Sequence, residues 1–320
     1  MRIGLCYDLA AEWAAEGCDA EQAAEFDQPE TVAAIETVLA AHGHAVERIG
    51  RATRLVHSLA AGAHWDLVFN ICEGLRGAGR EALVPALLDA YAIPYVFSDP
   101  EVLALSLHKA HCKRVVRDAG VPTADFRVLE EPPQSCDIGW PVFVKPLAEG
   151  SGKGIGEDSF CRTPDELARA VARIAARFGQ PALAEQFLPG REFTVGIIGA
   201  GSGAEILGVL EVQSPQTYGF ATKKHYDAVT YGLGSDAEAR QAGEVALDAW
   251  RVLGGRDAGR VDLRSNARGQ PMFLEANPLA GLHPIDSDLV ILARLGGHDH
   301  AWLLGRIMDA ACARLGLRWQ

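Results

Sequence analysis

The chain has 320 residues, 48% of them hydrophobic and 22% charged, which is long enough for two or three domains with good cores. Against 42 Asp and Glu stand 30 Lys and Arg, a formal net charge of -12. That balance argues against nucleic acid or an anionic membrane surface as the main partner, but not against small anions, which a local cluster of cations binds. Seven cysteines form no CxxC pair and no Cys/His metal spacing, so they read as reduced thiols of a cytoplasmic protein. The opening run Met1–Asp8 is too short for a signal-peptide core, and no apolar run approaches the ~18 residues of a membrane span. Only six cations are lysines: Lys109, Lys113, Lys145, Lys153, Lys223 and Lys224. In an otherwise Arg-rich chain, some of them are expected where a compact ammonium is needed instead of a planar fork.

Along the chain, Ile3–Tyr7 reads as a buried strand. Residues 10–28 follow as an Ala/Glu-rich interruption, either helix or loop. Thr31–Ala41 has helical spacing and ends at Gly43. Ala45–Ile49, Asp66–Ile71 and Tyr95–Phe97 are strand candidates, with a helix over Arg80–Tyr91. This alternation predicts a parallel, doubly wound sheet. From Pro100 the pattern changes. Glu101–Ala119 reads as one helix ending at Gly120. Strands are expected at Phe126–Leu129 and Val142–Lys145, then a glycine-rich loop, a helix over Pro164–Phe178 and a strand at Ala182–Gln186. Glu192–Ile198 and Ile206–Val212 form an expected antiparallel hairpin, and 213–234 is a long irregular segment. A helix over 236–253 precedes a second hairpin, Arg260–Arg264 with Pro271–Ala276. The expected architecture is α/β followed by α+β, with no internal repeat.

The second hairpin carries the strongest chemical signal. Asp262 lies in one arm, while Glu275 and Asn277 share a face of the other because strand side chains alternate. Two carboxylates and an amide make a hard-oxygen set suited to Mg²⁺ bound together with phosphates. Arg260 faces the same side as Asp262 and can clamp a phosphoryl group or a carboxylate. Flanking Val261, Leu263, Phe273 and Leu274 look buried, which argues against a merely solvated hairpin. Next, the strand at Val142 delivers Lys145 just before Gly150-Ser151-Gly152-Lys153-Gly154. Backbone N–H groups of such a loop can fold over a polyphosphate. Its spacing is neither a Walker A loop nor a dinucleotide fingerprint, since Leu147 and Ile155 stand where glycines would be needed. In Glu185-Gln186-Phe187-Leu188, backbone groups at a strand exit suit an adenine edge, and Glu192 suits ribose hydroxyls.

These pieces, in this order, resemble the ATP-grasp superfamily and, within it, the D-alanine–D-alanine ligase-like branch. The resemblance rests on Phe69-Asn-Ile-Cys-Glu-Gly74 with Arg80-Glu81, Ile93-Pro-Tyr95, Lys109 with Gly120-Val-Pro-Thr123, and Lys145 with its loop. It continues through Glu185 to Val195, Arg260-Val-Asp262 and Glu275-Ala-Asn277 with Gly281. It implies an N-terminal Rossmann-like domain over 1–100, a central subdomain over 101–186 and a C-terminal subdomain over 187–320. It implies that Lys109 and Lys145 contact ATP and that Gly150, Ser151, Gly152 and Gly154 cover its phosphates. Glu185 to Leu188 would hold adenine and Glu192 ribose. Asp262, Glu275 and Asn277 would bind Mg²⁺, two ions with Mn²⁺ as the substitute. Lys223, or Lys224 in a loose register, would reach phosphate from a lid. The implied reaction joins a small-molecule carboxylate to an amine through an acyl phosphate, with Arg260 and Gly281 at the oxyanion and Ser151 orienting substrate. A homodimer is implied by the branch.

The substrate end departs from that family. Its ammonium-binding Glu has only Glu25 or Asp27 as counterparts, and its His after the third strand is here Asn70 or Glu73. Ser287 stands for a carboxylate-binding turn but is flanked by Asp286 and Asp288, which points to an amine substrate that is cationic or lacks a carboxylate there, or to Asp286 capping a helix. D-alanine and another amino acid or amine both stand as substrates, and a non-catalytic nucleotide binder is the reading from another class. His283 reads as loop packing and Lys113 as a solvated helix residue.

Overall fold

A computed structural model describes residues 1–213 and 230–319. Strands β1 (Arg2–Tyr7), β2 (Ala45–Arg48) and β3 (Leu67–Ile71) form a parallel sheet in the order β2-β1-β3. Its apolar runs are buried on both faces, as a parallel sheet between helices requires. Residues 10–28 contain α1 (Ala10–Ala15) and a 3₁₀ turn at Gln22–Glu25, and return to bridge Leu9 with Asp27. They therefore lie over the carboxyl end of β1. Helices α2 (Pro29–Ala41), α3 (Ala52–Ala60) and α4 (Leu83–Ala90) complete this layer. The α3 helix escapes the sequence reading; its signal is the pair Leu55 and Leu59, both buried.

Tyr95–Phe97 does not become a strand. Only Tyr95 bridges Val68, because Pro94 has no N–H to donate and the chain turns away at Phe97. The Phe97 N–H goes instead to Asp257 Oδ2 at 2.8 Å, and Asp257 is paired with Arg314 at 2.7 Å. The expected long helix 101–119 is two, α5 (Pro100–Leu107) and α6 (Lys109–Asp118). His108 leaves helical geometry, its Nδ1 accepts the His111 N–H, and the Lys109 N–H reaches Leu147 O at 3.2 Å. The break starts α6 at Lys109 and ties that residue to the exit of a neighbouring strand.

The second sheet is antiparallel: β4 (Phe126–Leu129), β5 (Val142–Pro146), β6 (Phe160–Cys161) and β7 (Ala182–Gln186), in the order β4-β7-β5-β6. Helix α7 (Pro164–Phe178) begins at the Thr163 cap, ends at left-handed Gly179 and packs Leu167, Val171 and Ile174 on this sheet. The third sheet takes β8 (Glu192–Ile198), β9 (Glu205–Gln213), β10 (Thr230–Leu233), β11 (Ala258–Ser265) and β12 (Pro271–Asn277), ordered β10-β9-β8-β11-β12. Helix α8 (Ala237–Leu253) covers it with a face of alanines around Trp250. Helices α9 (Asp288–Leu295) and α10 (His300–Leu315) close the chain, and α10 packs Leu304, Ile307 and Met308 into the same core as β1 and β3. The C-terminal helix thus fastens the first sheet beside the third, with the second sheet facing both. No helix among the described residues is long and apolar enough to cross a membrane.

Candidate active site

The site is built upward from the β11–β12 hairpin. Asp262 pairs with Glu275, but Leu263 pairs with Phe273, so Leu274 is the extra residue of a β-bulge. The bulge turns both Leu274 and Glu275 into the cleft between the second and third sheets. Asp262 is held from two sides: Thr194 Oγ1 donates to Oδ1 at 2.8 Å and Asn277 Nδ2 to Oδ2 at 3.1 Å. Burial pushes the Asp262 carboxyl up, Arg260 opposes that, and nearby Glu275 adds to it. Two carboxylates drawn together with the Asn277 amide in a desolvated hairpin form a hard-oxygen donor set of the kind that suits a divalent cation. Among the described residues no three His, Cys, Asp or Glu side chains form a metal cluster, and this set has only two carboxylates plus the Asn277 amide.

Lysines line the cleft opposite. Lys109 Nζ lies 3.4 Å and Lys145 Nζ 3.7 Å from Glu275 Oε2. Lys145 also pairs with Glu185 Oε2 at 2.9 Å. Burial alone pulls the Lys145 ammonium down, yet Glu185 and Glu275 together raise it. Phe143, one alternation before Lys145, lines the same cleft with Phe187, Leu188 and Leu274, an apolar slot beside charged groups. Glu192 lies at its edge, 3.3 Å from Arg264, whose guanidinium sits over the Phe187 ring.

The glycine loop follows β5 directly. Gly154 has φ +72°, and a side chain there would meet Pro146 at 2.5 Å and Phe178 at 2.8 Å, so only glycine fits. The loop is fastened to residues 10–28. Glu25 accepts the Gly150 N–H at 2.7 Å, pairs with Lys153 at 2.8 Å and with Arg80 at 3.1 Å. Burial works against the Glu25 charge, but Arg80 and Lys153 overcome it and hold the carboxyl below its ordinary range. Glu21 accepts the Gly154 N–H at 3.2 Å and pairs with Arg177. Glu25→Gln is expected to cost about 3 kcal/mol, because it leaves two buried cations underpaired. Urea denaturation checks that figure, and hydrogen exchange at Gly150 is expected to speed up in the same variant.

A small cavity of 110 Å³ lies beyond the hairpin, between Lys109, Arg260 and Asn277 on one side and Glu25, Glu73 and Glu81 on the other. Burial lifts the Glu73 carboxyl well above its ordinary value, and Glu81 and Glu25 add to that. Burial likewise pushes Glu81 up to about 7. A larger cavity of 690 Å³ opens between residues 10–28 and 280–289. Glu25, Ser151, Arg260, Ala280 and Gly281 border both spaces, so the two meet there. Arg260 also borders the lysine-lined cleft, the one described residue common to all three. It pairs with Asp288 and lies 3.6 Å from Asp262.

The structure brings together Lys109, Lys145, Glu185 to Leu188, Glu192, Arg260, Asp262 and Glu275 in one cleft, with Asn277, Glu73 and Gly281 in the adjoining cavity. Asp286 and Ser287 line the larger cavity instead. Ser287, not Asp286, stands at the N-cap of α9, and its Oγ accepts the His283 N–H at 2.8 Å. Asp286 is exposed, 3.4 Å from His283. Lys223 and Lys224 lie outside the described residues. Glu25, expected to face substrate, borders both further cavities while it also holds Arg80, Lys153 and the loop. Lys113, expected in solvent, is completely buried and bonded to Glu185 at 2.6 Å. Sequence reading missed Phe143, which shares the face of Lys145, and Thr194, whose contact with Asp262 depends on the pairing of β8 with β11; it named Arg80 and Asp288 but not their partners Glu25 and Arg260.

Two antiparallel sheets clasping a lysine-lined cleft above a carboxylate hairpin define an ATP-grasp fold, and its solved neighbours agree. The chain aligns with D-alanine–D-alanine ligase from Bacillus anthracis complexed with ATP at TM-score 0.74 and 18% identity, over 98% of each chain. It aligns with VanG D-Ala:D-Ser ligase from Enterococcus faecalis at 0.73 and 16%, over 97% of this chain and 99% of the other. The family described as "D-ala D-ala ligase C-terminus" matches residues 115–309. A D-alanine–D-alanine ligase of Alcanivorax borkumensis is 33% identical over 78% of each chain, and one of Chromohalobacter salexigens 35% over 76% of this chain and 77% of the other. The chain belongs to the D-alanine–D-alanine ligase family. It is an ATP-dependent carboxylate–amine ligase acting on small molecules, and the family uses ATP with a divalent metal.

Proposed function

We propose that this enzyme joins two small amino acids, D-alanine first among them, through an acyl phosphate. The observation that carries the reading is Arg260, which borders the nucleotide cleft and both further cavities at once. ATP lies in the cleft, with adenine between Phe143 and Leu274 at the 185–188 strand exit and ribose at Glu192. Lys109 and Lys145 contact the phosphates, and the loop Gly150, Ser151, Gly152 and Gly154 covers them. Asp262, Glu275 and Asn277 would hold Mg²⁺, two ions with Mn²⁺ as substitute, and the metal would supply positive charge against the phosphate oxygens.

The donor amino acid occupies the small cavity lined by Glu73, Glu81, Lys109 and Arg260. Its carboxylate faces Arg260 and Lys109, and its ammonium faces Glu73 and Glu81. The carboxylate oxygen attacks the γ-phosphorus in line, and ADP leaves. A neutral amine then enters from the larger cavity past Ser151, Asp286 and Ser287 and attacks the acyl carbon. The oxyanion sits against Arg260 and the backbone at Gly281; phosphate departs and the nitrogen loses its proton. Lys223 or Lys224 supplies a further phosphate contact from the segment joining β9 to β10. The three sheets, within residues 2–71, 126–186 and 192–277, support a division into working units at 1–100, 101–186 and 187–320.

ADP release with Mg–ATP across a panel of amino acids and amines tests this. D-alanine is expected to drive turnover and to yield the dipeptide. Turnover with another amino acid alone would keep the reaction and change the substrate. No ADP with any carboxylate would overturn the proposal.

A further inference from the structure

The lysine without a role in the sequence reading proves to be the most enclosed cation among the described residues. Lys113 is 0% exposed, and its ammonium is held by two hydrogen bonds and an ion pair, all to oxygen. Nζ lies 2.6 Å from Glu185 Oε1, 2.7 Å from Thr123 Oγ1 and 3.0 Å from Phe273 O. These come from three places: β7, the connector before β4, and β12. The connector is itself tied to β12, since the Phe273 N–H reaches Pro122 O at 2.7 Å and Thr123 Oγ1 donates to Phe273 O at 2.7 Å.

Lys113 does not line the nucleotide cleft; it stands behind Glu185, which does. Glu185 divides its oxygens, Oε1 to Lys113 and Oε2 to Lys145 at 2.9 Å. Charge then alternates from Lys113 through Glu185, Lys145 and Glu275 to Lys109. A buried ion pair is a poor way to gain stability alone, because apolar replacements often serve as well or better. Arginine, the default cation of this chain, presents a planar fork and cannot place three donors tetrahedrally on these acceptors.

We propose that Lys113 is a positioning residue for the nucleotide. By holding Glu185 from behind, it fixes the carboxylate against which Lys145 is oriented, and so sets the ATP-binding wall of the cleft. It also ties that wall to β12, two residues before Glu275. The proposal rests on the cleft being the ATP site. Without Lys113, Glu185 would swing fully onto Lys145 and take its ammonium away from the nucleotide.

Calorimetric titration with a non-hydrolysable Mg–ATP analogue, together with steady-state kinetics, tests this on the full chain. Lys113→Met is expected to weaken nucleotide binding about 10- to 100-fold, the weight of one charge-assisted hydrogen bond. The kcat at saturating ATP and the KM of the amino-acid substrate are expected to stay within about threefold. Thr123→Val removes one acceptor with little change of volume, and a weakening of about threefold or more is expected. A purely structural lysine would lower the Tm and leave nucleotide affinity unchanged; that result overturns the proposal. If Lys113→Met does not fold, unchanged affinity in Thr123→Val overturns it equally. Failure of the unaltered chain to bind the analogue would remove the reading of the cleft and this proposal with it.

Discussion

Glu275→Gln is expected to lower ADP formation about 10²- to 10⁴-fold while leaving the fold intact. Glu275 is the carboxylate that the β-bulge turns into the cleft, opposite Asp262 and within 3.4 Å of Lys109. The amide keeps its shape and removes its charge. A metal bridging phosphate oxygens is worth several kcal/mol of charge stabilisation, and each 1.36 kcal/mol is about tenfold in rate. The side chain is about one-fifth exposed, and its cationic neighbours also contact Glu149 O and Glu185. Melting temperature is therefore expected to move by only a few degrees, which circular dichroism checks. Undiminished turnover would remove Glu275 from the metal set.

Arg260→Lys is expected to lower kcat about 10²- to 10³-fold with the KM for ATP within about threefold. The magnitude is that of losing one preorganised donor at a developing oxyanion. Lysine keeps the charge but not the fork that reaches Asp288 while facing the junction of the cavities. Positions that act by binding ATP would move KM instead. Steady-state kinetics on the purified variant separates these, and a kcat within threefold of the unaltered enzyme would take Arg260 out of the chemistry.

Much of this site was legible in the sequence because it sits on regular strands. Alternation placed Arg260 with Asp262 and Glu275 with Asn277, and both hairpins pair as the pattern requires. Helix α7 was legible end to end because Thr163, Pro164 and Gly179 punctuate it. The failures have a common physical origin, which is partners remote in sequence. Tyr95–Phe97 looks like a strand until Asp257, 160 residues on, takes the Phe97 N–H. The break at His108 has no proline or glycine to announce it; Leu147 O, at the exit of β5, supplies the partner. Lys113 carries the periodicity of a helix residue, and only the meeting of β7 with β12 shows that its side is the inside. Glu25 was legible as a carboxylate near the site, but its capture by Arg80 and Lys153 depends on how residues 10–28 fold over the glycine loop.

The acid cluster of Glu73 and Glu81 lines the small cavity beside Arg260. Burial raises both carboxyls, so they meet a substrate either as hydrogen-bond donors or as newly ionised partners of an ammonium. In the proposed reaction, that end of the site would set which amino acid is used, and the lysine-lined cleft and the hairpin would set the chemistry.

In the proposed reaction a substrate carboxylate attacks the γ-phosphorus of ATP. Turnover of carboxylate-¹⁸O-labelled D-alanine, or of whichever carboxylate best supports ADP release, followed by mass analysis of the phosphate, tests it directly. An acyl phosphate intermediate predicts one ¹⁸O transferred into each inorganic phosphate, with ADP as the nucleotide product. Unlabelled phosphate, or AMP with pyrophosphate, would contradict it.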